Sequence, residues 1–156
     1  MTQIAVGKKV GRFSLDDQHG EPFSRDDEEG KRIVLSFHPL AWTPLCARQM
    51  KALEANRARF LKENAVAFGL SVDASPSKLA WAKELGIQET RLLSDFWPHG
   101  GVARLFGIFR DEEGFSERAV IILDEGRVAR FVKVYPLDQL PDVDEILSAL
   151  RMMVRA

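Results

Sequence analysis

The sequence predicts an α/β protein in which helices cover a mixed β-sheet. Three short segments, residues 33–37, 66–70 and 119–123, are almost continuously apolar, which is typical of strands buried on both faces. Segments with helix start and stop signals alternate with them, in the order β-α-β-α-β-α-ββ-α. The chain has 156 residues, of which 46% are hydrophobic, so we expect a single domain, residues 1–156, with its own core.

The elements of the first half follow from local signals. A charge-dense turn, residues 25–32, precedes the first buried strand at 33–37. Residues 44–64 predict one long, mostly polar helix with an imperfect apolar stripe. After the strand at 66–70, Ser75 is a suitable N-cap and Pro76 suits the first helical position, so a helix is expected to run from there to Gly86.

The second half is predicted in the same way. Residues 100–106 form a short helix that ends at Gly107, and the strand at 119–123 turns through residues 124–126 into a second strand at 127–134. This glycine-containing turn predicts an antiparallel pair. The C-terminal helix has an apolar stripe at 3.6-residue spacing, formed by Val143, Ile146, Leu147, Leu150 and Met153.

Composition excludes several classes of protein. The 22 basic and 23 acidic residues leave a formal net charge of −1, so we expect no nucleic-acid partner. The apolar runs are far shorter than the roughly 20 residues that cross a bilayer, so we expect no membrane partner. The first residues lack a cationic stretch followed by a long apolar segment, which favours a cytoplasmic location.

The chain has one cysteine and three histidines. One cysteine cannot form an intramolecular disulfide, and these four residues show no metal-ligand spacing. We therefore expect neither a metal site nor a bound cofactor.

The single cysteine, Cys46, lies where a buried strand leads into a helix. Thr43 is a good N-cap and Pro44 suits the first helical position, which places Cys46 in the first turn. Free backbone N–H groups and the helix dipole there stabilise a thiolate. The alternative is a structural cysteine, since Cys46 shares a helical face with Met50 and Leu53, and position alone leaves both interpretations open.

Residues Pro39-x-x-x-Thr43-x-x-Cys46 match the P-x-x-x-T-x-x-C signature, and here the chain resembles the peroxiredoxins. Residues 11–20 resemble the N-terminal hairpin of that family, residues 92–99 its segment before a short helix, and residues 116–124 its strand with the catalytic arginine. The resemblance extends from about residue 11 to residue 150. It implies a thioredoxin-like fold with a central mixed β-sheet, flanking helices and an N-terminal β-hairpin extension.

The resemblance also implies a role for four residues. Cys46 would be the nucleophile that attacks a hydroperoxide and becomes a sulfenic acid. Thr43 would hydrogen-bond the thiolate and the peroxide, although an N-cap role competes for the same oxygen. Arg118 would supply a fixed positive charge, unless it is a surface residue paired with Glu117. Pro39 would end the strand and shape a shielding loop over the sulfur.

Other tempting residues are expected to be non-catalytic. The sequence pattern directs Arg127 and Arg130 toward solvent, and a thiolate that is already activated does not need His38 or His99 as a base. Three aromatic residues are candidates for a pocket mouth, a subunit contact or simply the core: Trp42, Phe96 and Trp97.

The chain departs from the family at two positions. Lys51 stands where one subgroup has a resolving cysteine, so this is the one-cysteine type and its sulfenic acid must meet an external thiol. That reductant would be a small thiol or a thioredoxin- or glutaredoxin-like protein. Gln49 replaces a common glutamate, which we expect to remove a hydrogen-bond anchor.

The resemblance therefore implies a homodimeric, thiol-dependent peroxidase that reduces hydrogen peroxide or organic hydroperoxides. The alternative is a thioredoxin-like redox-sensing or binding module whose thiol is oxidised without efficient turnover. A monothiol disulfide reductase is disfavoured, because the sequence contains no Cys-x-x-Cys pair.

Overall fold

The protein, described by a computed structural model for residues 2–153, is organised around a mixed seven-stranded sheet. Its strands are β1 (Ser14–Asp16), β2 (Pro22–Ser24), β3 (Arg32–Phe37), β4 (Ala65–Ser71), β5 (Arg91–Ser94), β8 (Arg118–Leu123) and β9 (Ala129–Tyr135), and a separate two-stranded ribbon consists of β6 (Phe109–Arg110) and β7 (Phe115–Ser116). The sheet order is β2-β1-β5-β4-β3-β8-β9. The predicted α/β class, N-terminal hairpin and late antiparallel pair are confirmed.

Five helices connect or cover these strands within residues 2–153: α1 (Pro44–Ala55), α2 (Arg57–Lys62), α3 (Ser75–Leu85), α4 (Gly101–Leu105) and α5 (Val143–Met152). The single helix predicted over 44–64 is wrong, because the chain breaks at Asn56 into α1 and α2. The prediction of Ser75 as the N-cap of α3 is wrong. Ala74 is the N-cap, and Ser75 is the first residue of the helix. In this part of the chain no helix is both long and apolar enough to span a membrane.

The strand register brings distant segments to one end of the sheet. β3 is parallel to β4 and antiparallel to β8, with Phe37 opposite Ala119. The first residue of β8, Arg118, therefore lies beside the chain that leaves the carboxyl end of β3. Helix α1 begins at this same end, where open α/β sheets bind their ligands.

Each face of the sheet has its own apolar core. One face packs against the N-terminal segment and α4, and includes Phe23, Phe68 and Phe106. The other packs against α1, α3 and α5, and includes Met50 and Cys46. Two layers of helix and loop therefore enclose the central strands, and the start of α1 is held firmly against the sheet.

The close packing of α1 on β4 depends on a residue without a side chain. A Cβ atom at Gly69 would overlap the sulfur of Met50 and would lie 3.0 Å from a methyl carbon of Leu92. Glycine at this position lets the helix approach the strand directly.

Candidate functional site

Cys46 lies in the first turn of α1, two residues after Pro44, and only 1% of it is exposed. Thr43 is the N-cap residue, as predicted, and its carbonyl accepts the first helical hydrogen bond from the N–H of Ala47 at 2.9 Å. The sulfur therefore lies beside backbone N–H groups that have no partner within the helix. Together with the helix dipole, these groups favour a negative charge at this position.

Arg118 brings a positive charge to the sulfur. Its Nη1 atom lies 3.4 Å from the Cys46 Sγ atom, and its Nε donates to the carbonyl of Leu137 at 3.1 Å. The residue is 4% exposed, so the guanidinium is held away from bulk water. Of the two interpretations of Arg118, the structure contradicts the surface residue paired with Glu117, which instead contacts Arg110.

Gln49 fixes Arg118 in place. Its side-chain oxygen accepts from Arg118 Nη1 at 2.7 Å. Its amide nitrogen donates to the Ser36 hydroxyl at 2.8 Å and to the carbonyl of Phe37 at 3.0 Å. The expectation that Gln49 removes an anchor is therefore wrong. The amide both accepts from the guanidinium and donates to β3, which a carboxylate could not do.

The hydroxyl of Thr43 is oriented by its own loop. It donates to the carbonyl of Leu40 at 2.8 Å and makes no capping bond within α1. Since its hydrogen is directed at Leu40, its lone pairs remain available to accept a hydrogen bond. The predicted competition between capping and ligand binding does not arise in this arrangement.

The loop of residues 38–43 joins β3 to α1 and is held at several points. Pro39 is buried at its beginning. The backbone N–H of Ala41 donates to a carboxylate oxygen of Asp73 at 2.8 Å. Trp42 has a φ of 69°, which is costly for a bulky residue, and its indole N–H donates to the Ser77 hydroxyl at 3.0 Å. The loop therefore has a fixed shape that sets where Thr43 stands.

His38 is fully buried, and neither of its ring nitrogens has a hydrogen-bond partner. Burial holds its pKa well below the ordinary value, and the positive charges of Lys78 and Arg118 act in the same direction. A neutral ring of this kind is a poor proton acceptor. His99 is exposed, and its ring contacts the carbonyl of Gly114 at 2.7 Å.

Sequence reasoning missed Lys78, which is fully buried in α3. The available signal was its spacing, because Lys78, Trp81 and Ala82 fall on one helical face and all three are buried. Sequence reasoning also misplaced Arg127, which is buried and donates to four backbone carbonyls of residues 25–31. Arg130 is exposed, as predicted.

A group of large apolar side chains is exposed on the loops around this end of the sheet. It consists of Leu40, Trp42, Phe96 and Trp97, whose exposed fractions are 37%, 53%, 52% and 79%, respectively. Within residues 2–153 no cluster of three or more histidine, cysteine or carboxylate side chains could hold a metal ion.

Comparison with known proteins gives a consistent result. Residues 6–132 match the AhpC/TSA family. Alkyl hydroperoxide reductase E of Mycobacterium tuberculosis is 32% identical over 132 residues, which are 84% of this chain and 86% of that protein. A peroxiredoxin of Thermotoga petrophila is 31% identical over 154 residues, covering 95% of this chain and 71% of the relative.

Solved structures agree with these sequences. The peroxidoxin BcpB of Mycobacterium tuberculosis superposes with a TM-score of 0.85 at 26% identity, covering 97% of this chain and 99% of that one. AhpC of Enterococcus faecalis superposes with a TM-score of 0.86 at 21% identity, covering 94% and 90%, and supports the fold alone.

Proposed function

The chain belongs to the AhpC/TSA family and is a thiol-dependent peroxidase of the peroxiredoxin type, and on this premise we propose that Cys46 is its peroxidatic nucleophile. The observation that carries the proposal is the 3.4 Å contact between Arg118 Nη1 and the Cys46 sulfur, in the first turn of α1. The chain contains no other cysteine, which fits a one-cysteine mechanism.

The first step is an attack by the Cys46 thiolate on the terminal oxygen of a hydroperoxide. A sulfur lone pair forms the S–O bond while the O–O bond breaks, and its electron pair leaves with the second oxygen. That oxygen takes up a proton and departs as water or an alcohol. The sulfur has then been oxidised by two electrons to a sulfenic acid.

Arg118 and Thr43 have different tasks in this step. The guanidinium of Arg118 stabilises the thiolate and follows the negative charge as it moves to the departing oxygen. The Thr43 oxygen accepts a hydrogen bond from the hydroperoxide O–H, because its own hydrogen is directed at Leu40. A peroxide held in this way presents its terminal oxygen to the sulfur.

Pro39 contributes by closing the loop over the sulfur without offering an N–H group. It is buried with His38 at the beginning of the loop, and Cys46 is only 1% exposed. Such enclosure limits a second attack by peroxide on the sulfenic acid. It also means that the reducing thiol reaches Cys46 only after this part of the chain has moved.

Two equivalents of an external thiol complete the cycle. The first condenses with the sulfenic acid, releases water and forms a mixed disulfide with Cys46. The second attacks the sulfur of the first thiol in this disulfide, so that the two external thiols leave joined as a disulfide and the Cys46 thiol is restored. The reductant is a small thiol or the thiol of a thioredoxin- or glutaredoxin-like protein.

Stopped-flow fluorescence tests the assignment, since Trp42 is four residues from Cys46. We expect hydrogen peroxide to change the fluorescence of the reduced protein in a second-order reaction much faster than that of a free thiol. The Cys46→Ser variant should show no such phase. A rate no faster than that of a free thiol would instead leave a redox-sensing module whose thiol is oxidised slowly.

We further propose that the chain works as one domain and forms a homodimer through the loops that expose Leu40, Trp42, Phe96 and Trp97. Exposed aromatic residues of this size are enriched at interfaces. Sedimentation should give twice the chain mass, and Trp97→Glu should give the mass of a monomer. A monomeric wild type would contradict this assembly.

The need for an external thiol also supports a cytoplasmic location, because reducing thiols are maintained there. Detection of the protein in the cytoplasmic fraction of its cell would support this location, and its recovery outside that fraction would contradict it.

A further inference from the structure

One peptide group of the loop before Cys46 is held by hydrogen bonds at both of its polar atoms. Its carbonyl, which belongs to Leu40, accepts from the Thr43 hydroxyl at 2.8 Å. Its N–H, which belongs to Ala41, donates to the Oδ2 atom of Asp73 at 2.8 Å. The Asp73 carboxylate is therefore linked to the Thr43 hydroxyl by two direct hydrogen bonds and the peptide group between them.

The carboxylate that holds this peptide group is itself fixed. The Ser71 hydroxyl donates to the same Oδ2 atom of Asp73 at 2.7 Å. The fully buried Lys78 donates to the Ser71 oxygen, which leaves the Ser71 hydrogen directed at Asp73. The backbone carbonyl of Asp73 accepts from the Ser94 hydroxyl at 2.6 Å. Residues of β4, β5 and α3 therefore hold Asp73 in position.

The loop needs this support because its backbone is strained. Trp42, the residue that follows this peptide group, has a φ of 69°. A bulky residue keeps this conformation only where the surrounding structure holds it. The indole N–H of Trp42 donates to the Ser77 hydroxyl at 3.0 Å and holds the ring, whereas Asp73 holds the backbone before it. Without Asp73 the peptide group could rotate, and its carbonyl would turn away from Thr43.

The direction of the Thr43 hydrogen decides what its hydroxyl offers to a hydroperoxide. A hydroxyl has one hydrogen to donate and two lone pairs that accept. While the hydrogen is held by the carbonyl of Leu40, the hydroxyl presents its lone pairs. If that carbonyl turned away, the hydroxyl could rotate and accept from the free N–H groups of α1, a capping bond that it does not make here.

We propose that Asp73 is a positioning residue of the peroxidatic centre, which fixes the direction of the Thr43 hydroxyl through the peptide group between Leu40 and Ala41. The proposal rests on the proposed role of Thr43 in binding the hydroperoxide. Asp73 acts through Thr43 and does not contact the substrate. A carboxylate that accepts from the N–H also polarises the peptide group and makes its carbonyl a better acceptor. A hydroperoxide therefore meets a hydroxyl whose orientation is set before it binds.

A double-mutant cycle of Asp73→Ala and Thr43→Val tests this pathway. Thr43→Val keeps the branched shape and removes only the hydroxyl, which makes no capping bond in α1. Each single variant should react about tenfold more slowly with hydrogen peroxide, which is the effect of one good hydrogen bond. The double variant should be as fast as Thr43→Val to within about twofold, because Asp73 then has no hydroxyl to position.

The cycle distinguishes positioning from a structural defect. A structural defect in Asp73→Ala would slow the reaction whether or not the hydroxyl is present. Two losses that multiply to about a hundredfold would therefore overturn the proposal, as would an Asp73→Ala rate equal to wild type. A Thr43→Val variant as fast as wild type is a separate result. It would refute the role of Thr43 in the proposed function and would remove the basis of this proposal with it.

Two further variants separate the hydrogen bond from the loss of a charge. Asp73→Asn keeps an oxygen that can accept from Ala41 and Ser71, so its rate should be within about threefold of wild type. A loss as large as that of Asp73→Ala would overturn the proposal. Glu84→Ala removes an exposed carboxylate from α3, makes the same change in net charge as Asp73→Ala, and should match wild type.

A second measurement leaves Asp73 unchanged and does not depend on the folding of its variants. Because one peptide group makes both hydrogen bonds, each bond should strengthen the other. NMR follows hydrogen exchange of the Ala41 amide in wild type and in Thr43→Val. We expect exchange to be about two- to fivefold faster in Thr43→Val. Equal exchange in the two proteins would overturn the proposal.

Discussion

Replacement of Arg118 by methionine removes the cation that contacts the sulfur while keeping a long side chain. The Nη1 atom is 3.4 Å from Cys46 Sγ, and the centre of the guanidinium charge lies somewhat farther away. At an effective dielectric of about 20, a charge pair at about 4 Å is worth about 4 kcal/mol. Each 1.36 kcal/mol is a factor of ten, so Arg118→Met should lower the rate with hydrogen peroxide by about a thousandfold at neutral pH.

The loss should have two components that an experiment can distinguish. Fewer molecules carry the thiolate, and this component recovers at alkaline pH. The departing oxygen also lacks its donor, and this part of the thousandfold loss persists at any pH. The rate of Arg118→Met should therefore rise with pH but stay below that of wild type.

Stopped-flow fluorescence with excess hydrogen peroxide measures both components, and Arg130→Met is the matched control. Arg130 is exposed on β9, so its replacement makes the same change in net charge at a position in contact with solvent. Arg130→Met should react as fast as wild type. An Arg118→Met variant within threefold of that control would refute the role given to Arg118.

Three further predictions concern packing and support of the site. Gln49→Leu removes the acceptor that holds Arg118 and should lower the peroxide rate by about tenfold, whereas the control Arg130→Met should react as fast as wild type. An unchanged rate in Gln49→Leu would show that Arg118 keeps its position without Gln49. Gly69→Ala should lower the free energy of unfolding in urea by about 1–3 kcal/mol, because its methyl group would overlap Met50, and an equal stability would contradict that contact. Arg127→Met should cost about 2–3 kcal/mol and expose residues 25–31 to proteases, and resistance equal to wild type would contradict its role as a loop anchor.

The sequence was sufficient for features that depend on local pattern. Buried strands are continuous in apolar residues, so β3, β4 and β8 were located to within one residue of their ends. Gly86 ends α3 with a left-handed φ of 73°, as a glycine after a helix predicts.

Two features could not be predicted from the local sequence pattern. The helix break at Asn56 has no proline or glycine to announce it, and the Asn56 side chain folds back onto the carbonyl of Ala52. Arg127 follows a turn and was expected in solvent, yet it has a left-handed φ of 63° and reaches carbonyls about a hundred residues earlier in the chain.

Part of the candidate site could likewise be predicted from local pattern, and part could not. Thr43 and Cys46 follow from their places at a helix start, whereas Arg118 could be chosen from 22 basic residues only through a family resemblance. Its contact with Cys46 depends on the pairing of β8 with β3, which a local pattern does not encode. The burial of Lys78 could not be predicted either, because lysine is almost always exposed, even on a helical face that is otherwise apolar.

A competition experiment tests the central claim most directly, namely that Cys46 is a thiolate built to cleave an O–O bond. The reduced protein, freed of other thiols, and a haem peroxidase compete for a limiting amount of hydrogen peroxide at neutral pH, and mass spectrometry locates the oxygen added to the protein. Our account predicts that the protein diverts most of the peroxide from the haem peroxidase and that the added oxygen is found at Cys46 as a sulfenic acid. Undiminished oxidation of the haem peroxidase, with Cys46 left reduced, would contradict it.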